Sequence, residues 1–198
     1  KPIRLELAGL QSYREKQTVD FEALCGGGVF GIFGPTGSGK STILDAMTLA
    51  LYGKVERAPK GTQGIINGAE DRLAVSFTFE LGEAGRRVRY RVERQYKKSG
   101  ETSVNVAVCR LVELAPEGER VLADRQTDVD AAIERLIGLN MQDFTRAVVL
   151  PQGKFAAFLT LAGKERRQML QRLFGLERYG DVLAARLAAR HDETKLAL

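Results

Sequence analysis

The sequence has few of the residues on which many catalytic and metal sites are built. One histidine, two cysteines and no tryptophan occur among its 198 residues. A single histidine, His191, excludes a His-based catalytic triad and a His-rich metal site. Cys25 and Cys109 are far apart in the chain and fit no metal-ligand spacing, so we expect buried or incidental thiols.

Long apolar runs are also absent, which argues against a membrane span and a secretory signal. The composition, 44% hydrophobic and 28% charged, is ordinary for one soluble α/β domain, and we expect a cytoplasmic protein with no membrane contact. The formal net charge of +5 is a mild excess, which permits nucleic-acid binding without requiring it.

The most informative segment is GPTGSGKST, a phosphate-binding loop of the pattern G-x-x-x-x-G-K-[ST]. It follows the apolar run Val29–Phe33, which predicts a buried strand, and precedes a helix start. Glycines let consecutive backbone N–H groups curl around an anion, and the helix directs its unpaired N–H groups at the same phosphates. The expected phosphate-binding residues are Gly34, Pro35, Thr36, Gly37, Ser38, Gly39, Lys40, Ser41 and Thr42.

Two of these residues have expected chemical roles. Lys40 is the cation for the β- and γ-phosphates, and the Ser41 hydroxyl is suited to bind Mg²⁺. Because histidine and cysteine are scarce, the options for catalysis narrow to chemistry that uses Mg²⁺ and a nucleotide. A glycine turn that binds nothing is the alternative, and the flanking strand and helix patterns argue against it.

The N-terminal part of the chain alternates strand and helix patterns. Period-two alternation predicts an antiparallel pair, Ile3–Leu7 and Val19–Phe21, ahead of the phosphate loop. A helix is expected over Ser41–Tyr52, ended by Gly53, and a surface loop over Lys54–Asp71. An antiparallel meander is predicted at Leu73–Leu81, Arg86–Gln95 and Ser103–Leu114.

The remainder predicts mostly helix. A capping box at Thr127–Asp130 begins a helix that ends near Gly138. Phe144–Leu150 is expected to be a strand or strand end, closed by Pro151. A helix is then expected over Lys164–Phe174. A second helix is expected over Glu177–Leu198, a segment with no proline and no C-cap. Its mixture of charged and apolar residues favours contact with a partner, and packing on its own domain is the alternative.

A second acid for the nucleotide site is not evident in the sequence. Nucleotide hydrolysis at a phosphate loop requires a Walker B Asp after four apolar residues. Glu80 follows an alternating segment, and Asp124 follows a run too short for a buried strand. We therefore interpret both as meander residues and expect the site to be completed from outside this chain.

Several motifs together resemble the SMC-like family of DNA double-strand-break repair ATPases, in particular the N-terminal half of its bacterial SbcC branch. The matching segments are Ser12-Tyr13, Asp20-Phe21, GPTGSGKSTILDAMTLALYG, VSFTFE, RAVVLPQGKFAAFL and RRQMLQRLFGLERY. They cover almost the whole chain. The phosphate loop is shared with many ATPases, whereas LDA-x-x-x-ALYG combined with LPQG-x-FAAFL is specific to this family.

The resemblance implies a fold and a set of site residues. It implies an α/β fold, the N-terminal lobe of an ABC-type ATPase head over residues 1–176, with the base of a coiled-coil helix over 177–198. Gln152 matches the Q-loop glutamine, which completes the Mg²⁺ shell near the attacking water. Gln11 stands where some relatives place an Arg near the phosphates, and Ile65, Ile66 and Asn67 match a segment beside the nucleotide, though a plain loop is the alternative.

The resemblance also implies partners. These are the C-terminal half of the same ATPase, a second head that dimerises on ATP, an SbcD-type nuclease and double-stranded DNA near the nucleoid. The implied activity is ATP hydrolysis that regulates the nuclease, with Walker B and the catalytic carboxylate supplied by the C-terminal half. Candidate DNA contacts are Arg87, Arg89 and Arg91 on one strand face, and Lys54, Arg57 and Lys60 in the loop. A solvated face balanced by Glu93 is the alternative for the first group.

Three other functions are compatible with parts of the sequence. A transporter nucleotide-binding subunit shares the phosphate loop and Q-loop but would carry its signature and Walker B motifs in the same chain. A small-molecule phosphate-loop kinase would need a substrate lid and an acid within the chain. A non-enzymatic nucleic-acid-binding module would leave the phosphate loop unexplained.

Overall fold

The computed structural model of the chain describes residues 1–82, 87–149, 160, 162–173, 186–190 and 195. These divide into two compact units, Lys1–Ile137 and Gly138–Leu198. The first unit carries the phosphate loop and a six-stranded sheet. The predicted mixed α/β class is therefore confirmed.

Every strand pair in the sheet of the first unit is antiparallel, in the order β2-β1-β3-β4-β5-β6. The strands are β1 (Pro2–Ala8), β2 (Gln17–Asp20), β3 (Arg72–Leu81), β4 (Val88–Lys98), β5 (Val104–Ala115) and β6 (Gly118–Ala123). The predicted pair and meander are thereby confirmed. The second strand ends one residue earlier than the alternation predicts, because the Asp20 carboxylate accepts from Ala23 N at 3.0 Å and starts helix α1 (Phe21–Leu24).

Two longer helices pack on one face of this sheet. Helix α2 (Lys40–Tyr52) packs against β3 and β4, and α3 (Gln126–Ile137) packs against β5. Along β4 the side chains of Tyr90, Val92 and Tyr96 are buried on this face, as period-two alternation requires. The core therefore lies between the sheet and α2 and α3, and it fixes the axis of the helix that follows the phosphate loop.

The predicted strand before the phosphate loop is wrong. Residues 29–34 have no regular secondary structure, and Val29 and Phe33 are 87% and 93% exposed. A strand needs neighbours to satisfy its N–H and C=O groups, and none of the six strands among the described residues pairs with this segment. The apolar run is therefore present without the sheet partners that would bury it.

The second unit is described in part. It contains helix α4 (Met141–Phe144), a π-helical segment Thr145–Val149 and helix α5 (Gly163–Leu173). The helix predicted over Lys164–Phe174 is confirmed, whereas the strand predicted from Phe144 is wrong up to Val149. Asn140 caps α4 by accepting from Asp143 N at 2.9 Å, and the Thr145 hydroxyl donates to Met141 O at 2.7 Å, so local bonds favour a helical turn.

Two further predictions fall mainly outside the described residues. Gln152 lies outside them, as does most of the helix predicted over 177–198, of which residues 186–190 and 195 are helical. In the described part of the chain no helix is long and apolar enough to cross a bilayer. Both cysteines are free; Cys109 is buried and Cys25 half-buried, as expected for incidental thiols.

Candidate nucleotide site

The phosphate loop folds back on the side chain of its own lysine. Gly37 and Gly39 have φ values of 83° and 90°, in the left-handed region that favours glycine. Lys40 Nζ donates to the carbonyl oxygens of Gly34 and Pro35, both at 2.7 Å. The turn brings the lysine cation and the start of α2 to the same side of the loop.

The N-terminus of α2 is suited to an anion. Its N-cap residue, Gly39, has no side chain to accept from the first N–H groups of the helix. Backbone N–H groups and the helix dipole then favour a negatively charged group at this end. Ser41 is exposed and therefore accessible to a metal ion, whereas Thr42 is 3% exposed. The donor set thus fits a phosphate with an associated Mg²⁺.

The residues predicted beside the nucleotide converge on this loop from two distant segments. The Thr42 hydroxyl donates to Gln11 Oε1 at 2.9 Å, so Gln11 contacts the first turn of α2. Gln11 N donates to Ile65 O at 3.0 Å, and the Asn67 side-chain amide donates to Gln11 O at 2.5 Å. Ile66 forms an isolated bridge with Leu10. All four predicted residues therefore lie in one hydrogen-bonded cluster that includes the phosphate loop.

Two neighbours of Gln11, for which the sequence suggested no role, contact the loop directly. The Ser12 hydroxyl donates to Gly37 O at 3.3 Å. A Cβ built on Gly39 would lie 2.7 Å from Cε2 of the Tyr13 ring, so the ring lies against the backbone of Gly39. The only sequence signal for these contacts is the pair Ser12-Tyr13, which belongs to the family resemblance without an implied role.

The other end of α2 is held by a buried arginine. Arg94 is 0% exposed, and its guanidinium donates to Ala50 O at 2.7 Å, to Leu51 O at 2.9 Å and to Asp130 Oδ1 at 2.6 Å. A cation at a helix C-terminus is favoured by the dipole and satisfies carbonyls that have no partner within the helix. The contact joins β4, α3 and the end of α2.

Gly53 ends α2 beside this arginine. Its φ is 68°, its N–H donates to Leu49 O at 2.9 Å, and a Cβ there would lie 2.8 Å from Arg94 Nη1. The Tyr96 hydroxyl donates to Gly53 O at 3.3 Å, and burial raises the pKa of Tyr96 to about 12. The predicted stop at Gly53 is confirmed, and both backbone conformation and space require glycine there.

The three arginines predicted to face DNA are paired with carboxylates, and only Arg89 and Arg91 lie on one face of β4, since Arg87 precedes its first residue. Arg87 and Arg89 both contact Glu80, at 3.3 and 3.1 Å. Arg89 also contacts Glu22 at 2.7 Å, and Arg91 contacts Glu119 at 2.7 Å and Glu93 at 2.6 Å. The hydrogen bond from Arg89 lowers the pKa of Glu80. Phosphates at this face would compete with protein carboxylates.

The three candidate DNA-contacting cations of the loop after α2 differ in whether they are paired with a carboxylate. Arg57 forms a bidentate pair with Asp45, a residue of α2 that is 9% exposed. Lys54 and Lys60 are exposed. No group of three or more His, Cys, Asp or Glu side chains in the described ranges could hold a metal ion.

Comparison with known proteins shows which proteins the chain is similar to. The family model of the AAA domain matches residues 4–195. The SbcC component of the SbcCD nuclease from Bacillus subtilis (strain 168) is 60% identical over 193 residues, which are 98% of this chain and 17% of that protein. The SbcC component from Deinococcus radiodurans is 40% identical over 182 residues, 90% of this chain and 19% of that protein.

A relative with a different name matches the same region. A probable DNA double-strand break repair Rad50 ATPase from Aquifex aeolicus is 38% identical over 179 residues, 89% of this chain and 17% of that protein. The resemblance to SbcC inferred from the motifs is confirmed. The chain spans between 16% and 19% of the length of these curated relatives and of a further SbcC component from Clostridium acetobutylicum.

Proposed function

The chain belongs to the AAA domain family, and from that membership and its similarity to SbcC and Rad50 proteins we propose that it is the ATP-binding N-terminal half of an SMC-like DNA-repair ATPase head. The observation that carries the proposal is the phosphate loop, where Lys40 and the uncapped start of α2 meet. A cation beside a helix start that no side chain caps is what a triphosphate requires.

Within this site the residues have separate tasks. Lys40 would leave the carbonyls of Gly34 and Pro35 to bind the β- and γ-phosphates, and Ser41 would hold the metal with Gln152. A bound Mg²⁺ neutralises charge on the phosphates. Gln11 and the 65–67 segment would support the loop and border the nucleotide. ATP binding is therefore assigned to this chain, and hydrolysis to its assembly with further residues.

The C-terminal half of the same ATPase is the first proposed partner. The exposed apolar segment Val29–Phe33 supports this, since a strand added on either side would satisfy its backbone and cover Val29 and Phe33. We propose that this half supplies the Walker B acid and the catalytic carboxylate. Two such heads would then dimerise around ATP, whose γ-phosphate bridges Lys40 of one head and the signature loop of the other.

Double-stranded DNA and a nuclease of the SbcD type are the further proposed partners. The names of the relatives, a nuclease component and a break-repair ATPase, support this assignment. In this proposal ATP-driven engagement of heads regulates the nuclease during double-strand-break or hairpin processing. The names give no support to a transporter subunit or a small-molecule kinase.

Lys40→Ala tests the nucleotide assignment. In the chain co-expressed with its C-terminal half, this variant should lose ATP binding and ATP-dependent head association, because the cation that reaches the β- and γ-phosphates is removed. Calorimetry and light scattering measure the two effects. Lys60→Ala removes an exposed loop lysine and is the matched control. Unchanged ATP affinity in Lys40→Ala would refute the proposed function.

The DNA assignment is tested at the arginine row. Changing Arg87, Arg89 and Arg91 to Gln should weaken duplex binding and reduce the slope of log K against log salt by up to about 3, one unit per phosphate contact. Changing Lys97, Lys98 and Arg135 to Gln removes equal charge elsewhere and should leave the slope nearly unchanged. Equal slopes for the two triple variants would mean that the row is a solvated, carboxylate-paired face.

A further inference from the structure

A tight turn between β1 and β2 lies against the phosphate loop. We call residues Gly9–Tyr13 the brace. Leu10 N donates to Tyr13 O at 3.0 Å and Tyr13 N donates to Leu10 O at 2.8 Å, which closes the turn. Gln11 has a φ of 47°, an uncommon value for a residue with a side chain. Such a backbone persists when surrounding contacts determine it.

The brace is held from behind by the end of the long surface loop. Asn67 N donates to Gly9 O at 2.8 Å, and Asn67 Nδ2 donates to Gln11 O. Gln11 N is satisfied by Ile65 O, and Ile65 is 1% exposed. Because Leu10 is also fully buried, the backbone of the brace is anchored to the core rather than to solvent.

Three consecutive side chains of the brace reach three positions of the phosphate loop. Gln11 accepts from Thr42, Ser12 donates to the carbonyl of Gly37, and the Tyr13 ring covers the backbone of Gly39. The contact at Gly39 depends on the missing Cβ. Partial burial of the phenol raises the pKa of Tyr13.

We propose that Ser12 and Tyr13 are positioning residues for nucleotide binding, which hold the left-handed glycines Gly37 and Gly39 in the conformation that receives the phosphates. The inference rests on the proposed function. A glycine-rich loop loses much conformational entropy when it orders around a ligand, and a loop ordered in advance binds more tightly. Tyr13 supplies this order by packing on Gly39, and Ser12 by its hydrogen bond to the carbonyl of Gly37.

Tyr13→Ala and Tyr13→Phe, made in the protein assembled with its C-terminal half, test the proposal. Tyr13→Ala should bind ADP and a non-hydrolysable ATP analogue about tenfold more weakly, whereas Tyr13→Phe, which keeps the ring on Gly39, should stay within about twofold. Ser12→Ala should have a smaller effect in the same direction. Tyr90→Ala, a tyrosine on β4 that contacts Phe79, is a control for loss of stability alone.

A spectroscopic measurement separates positioning from stability. With 3-fluorotyrosine at every tyrosine of the assembled protein, including the five of this chain, the Tyr13 resonance is assigned by its loss in Tyr13→Phe. It should shift when the nucleotide is added to the wild type, and should not shift in Lys40→Ala. A fixed Tyr13 resonance at saturating nucleotide, or equal losses of affinity in Tyr13→Ala and Tyr90→Ala, would overturn this inference and leave the proposed function intact. A wild-type protein that binds no nucleotide would overturn both.

Discussion

Asp130→Ala should destabilise the fold more than its position near the surface suggests. Its carboxylate is bonded at 2.6 Å to Arg94, a guanidinium that is 0% exposed and that cannot lose its proton. Removing one partner of a buried pair typically lowers the free energy of unfolding by about 3–5 kcal/mol. Two features reduce this figure. The side chain of Asp130 is 39% exposed, and Arg94 keeps the carbonyls of Ala50 and Leu51. We therefore expect a loss of about 2–3 kcal/mol.

A double-mutant cycle with Arg94→Met isolates the pair. Its coupling energy should be about 2 kcal/mol, measured by urea unfolding with circular dichroism at constant m. The matched cycle at Arg120 and Glu113, a pair at 2.9 Å in which Arg120 is 69% exposed, should give less than about 1 kcal/mol. Equal coupling in the two cycles would refute the reasoning, because burial of Arg94 would then make no difference to the strength of the pair.

Two further predictions concern Tyr96 and Phe33. The pKa of Tyr96 is about 12 in the folded chain and 10 in the reference state, so the folded state retains the proton longer. The contribution of Tyr96 to the free energy of unfolding is constant well below pH 10, and about 2 kcal/mol of it should be lost between pH 10 and 12. The free energy of unfolding of Tyr96→Phe should lack this loss. The same pH dependence in the wild type and in Tyr96→Phe would contradict the raised pKa of Tyr96. Phe33→Ser should raise the solubility of the chain alone, because Phe33 is 93% exposed, and should weaken its capture of the C-terminal half in pull-down assays. Undiminished capture would mean that the C-terminal half does not bind at the segment Val29–Phe33.

Local patterns predicted the elements whose stabilising contacts are also local. Helix α2 ends at Gly53 as expected, since a left-handed C-cap is encoded by one residue and its own backbone. The meander follows from alternation and from short polar turns. The cluster around Gln11 could be anticipated only through the resemblance, because Gln11 is 31 residues from Thr42 and 56 residues from Asn67 in the chain.

Other features depended on partners that a local pattern does not contain. The run Val29–Phe33 has the composition of a buried strand, but forming one requires neighbouring strands. The segment from Phe144 is equally apolar, and the Asn140 cap decided in favour of helical turns. Arg94 occupies a core position of β4, and the carbonyls and carboxylate that satisfy it come from α2 and α3.

The order of the strands has a consequence for synthesis. All six strands end by Ala123, and each except β1 and β3 pairs only with strands adjacent to it in the sequence. A growing chain can therefore complete this sheet while later residues are still on the ribosome, since short sequence separations favour fast pairing. Val29 and Phe33 expose apolar surface even when this sheet is complete, so burial of the segment before the phosphate loop is not a condition for forming the sheet.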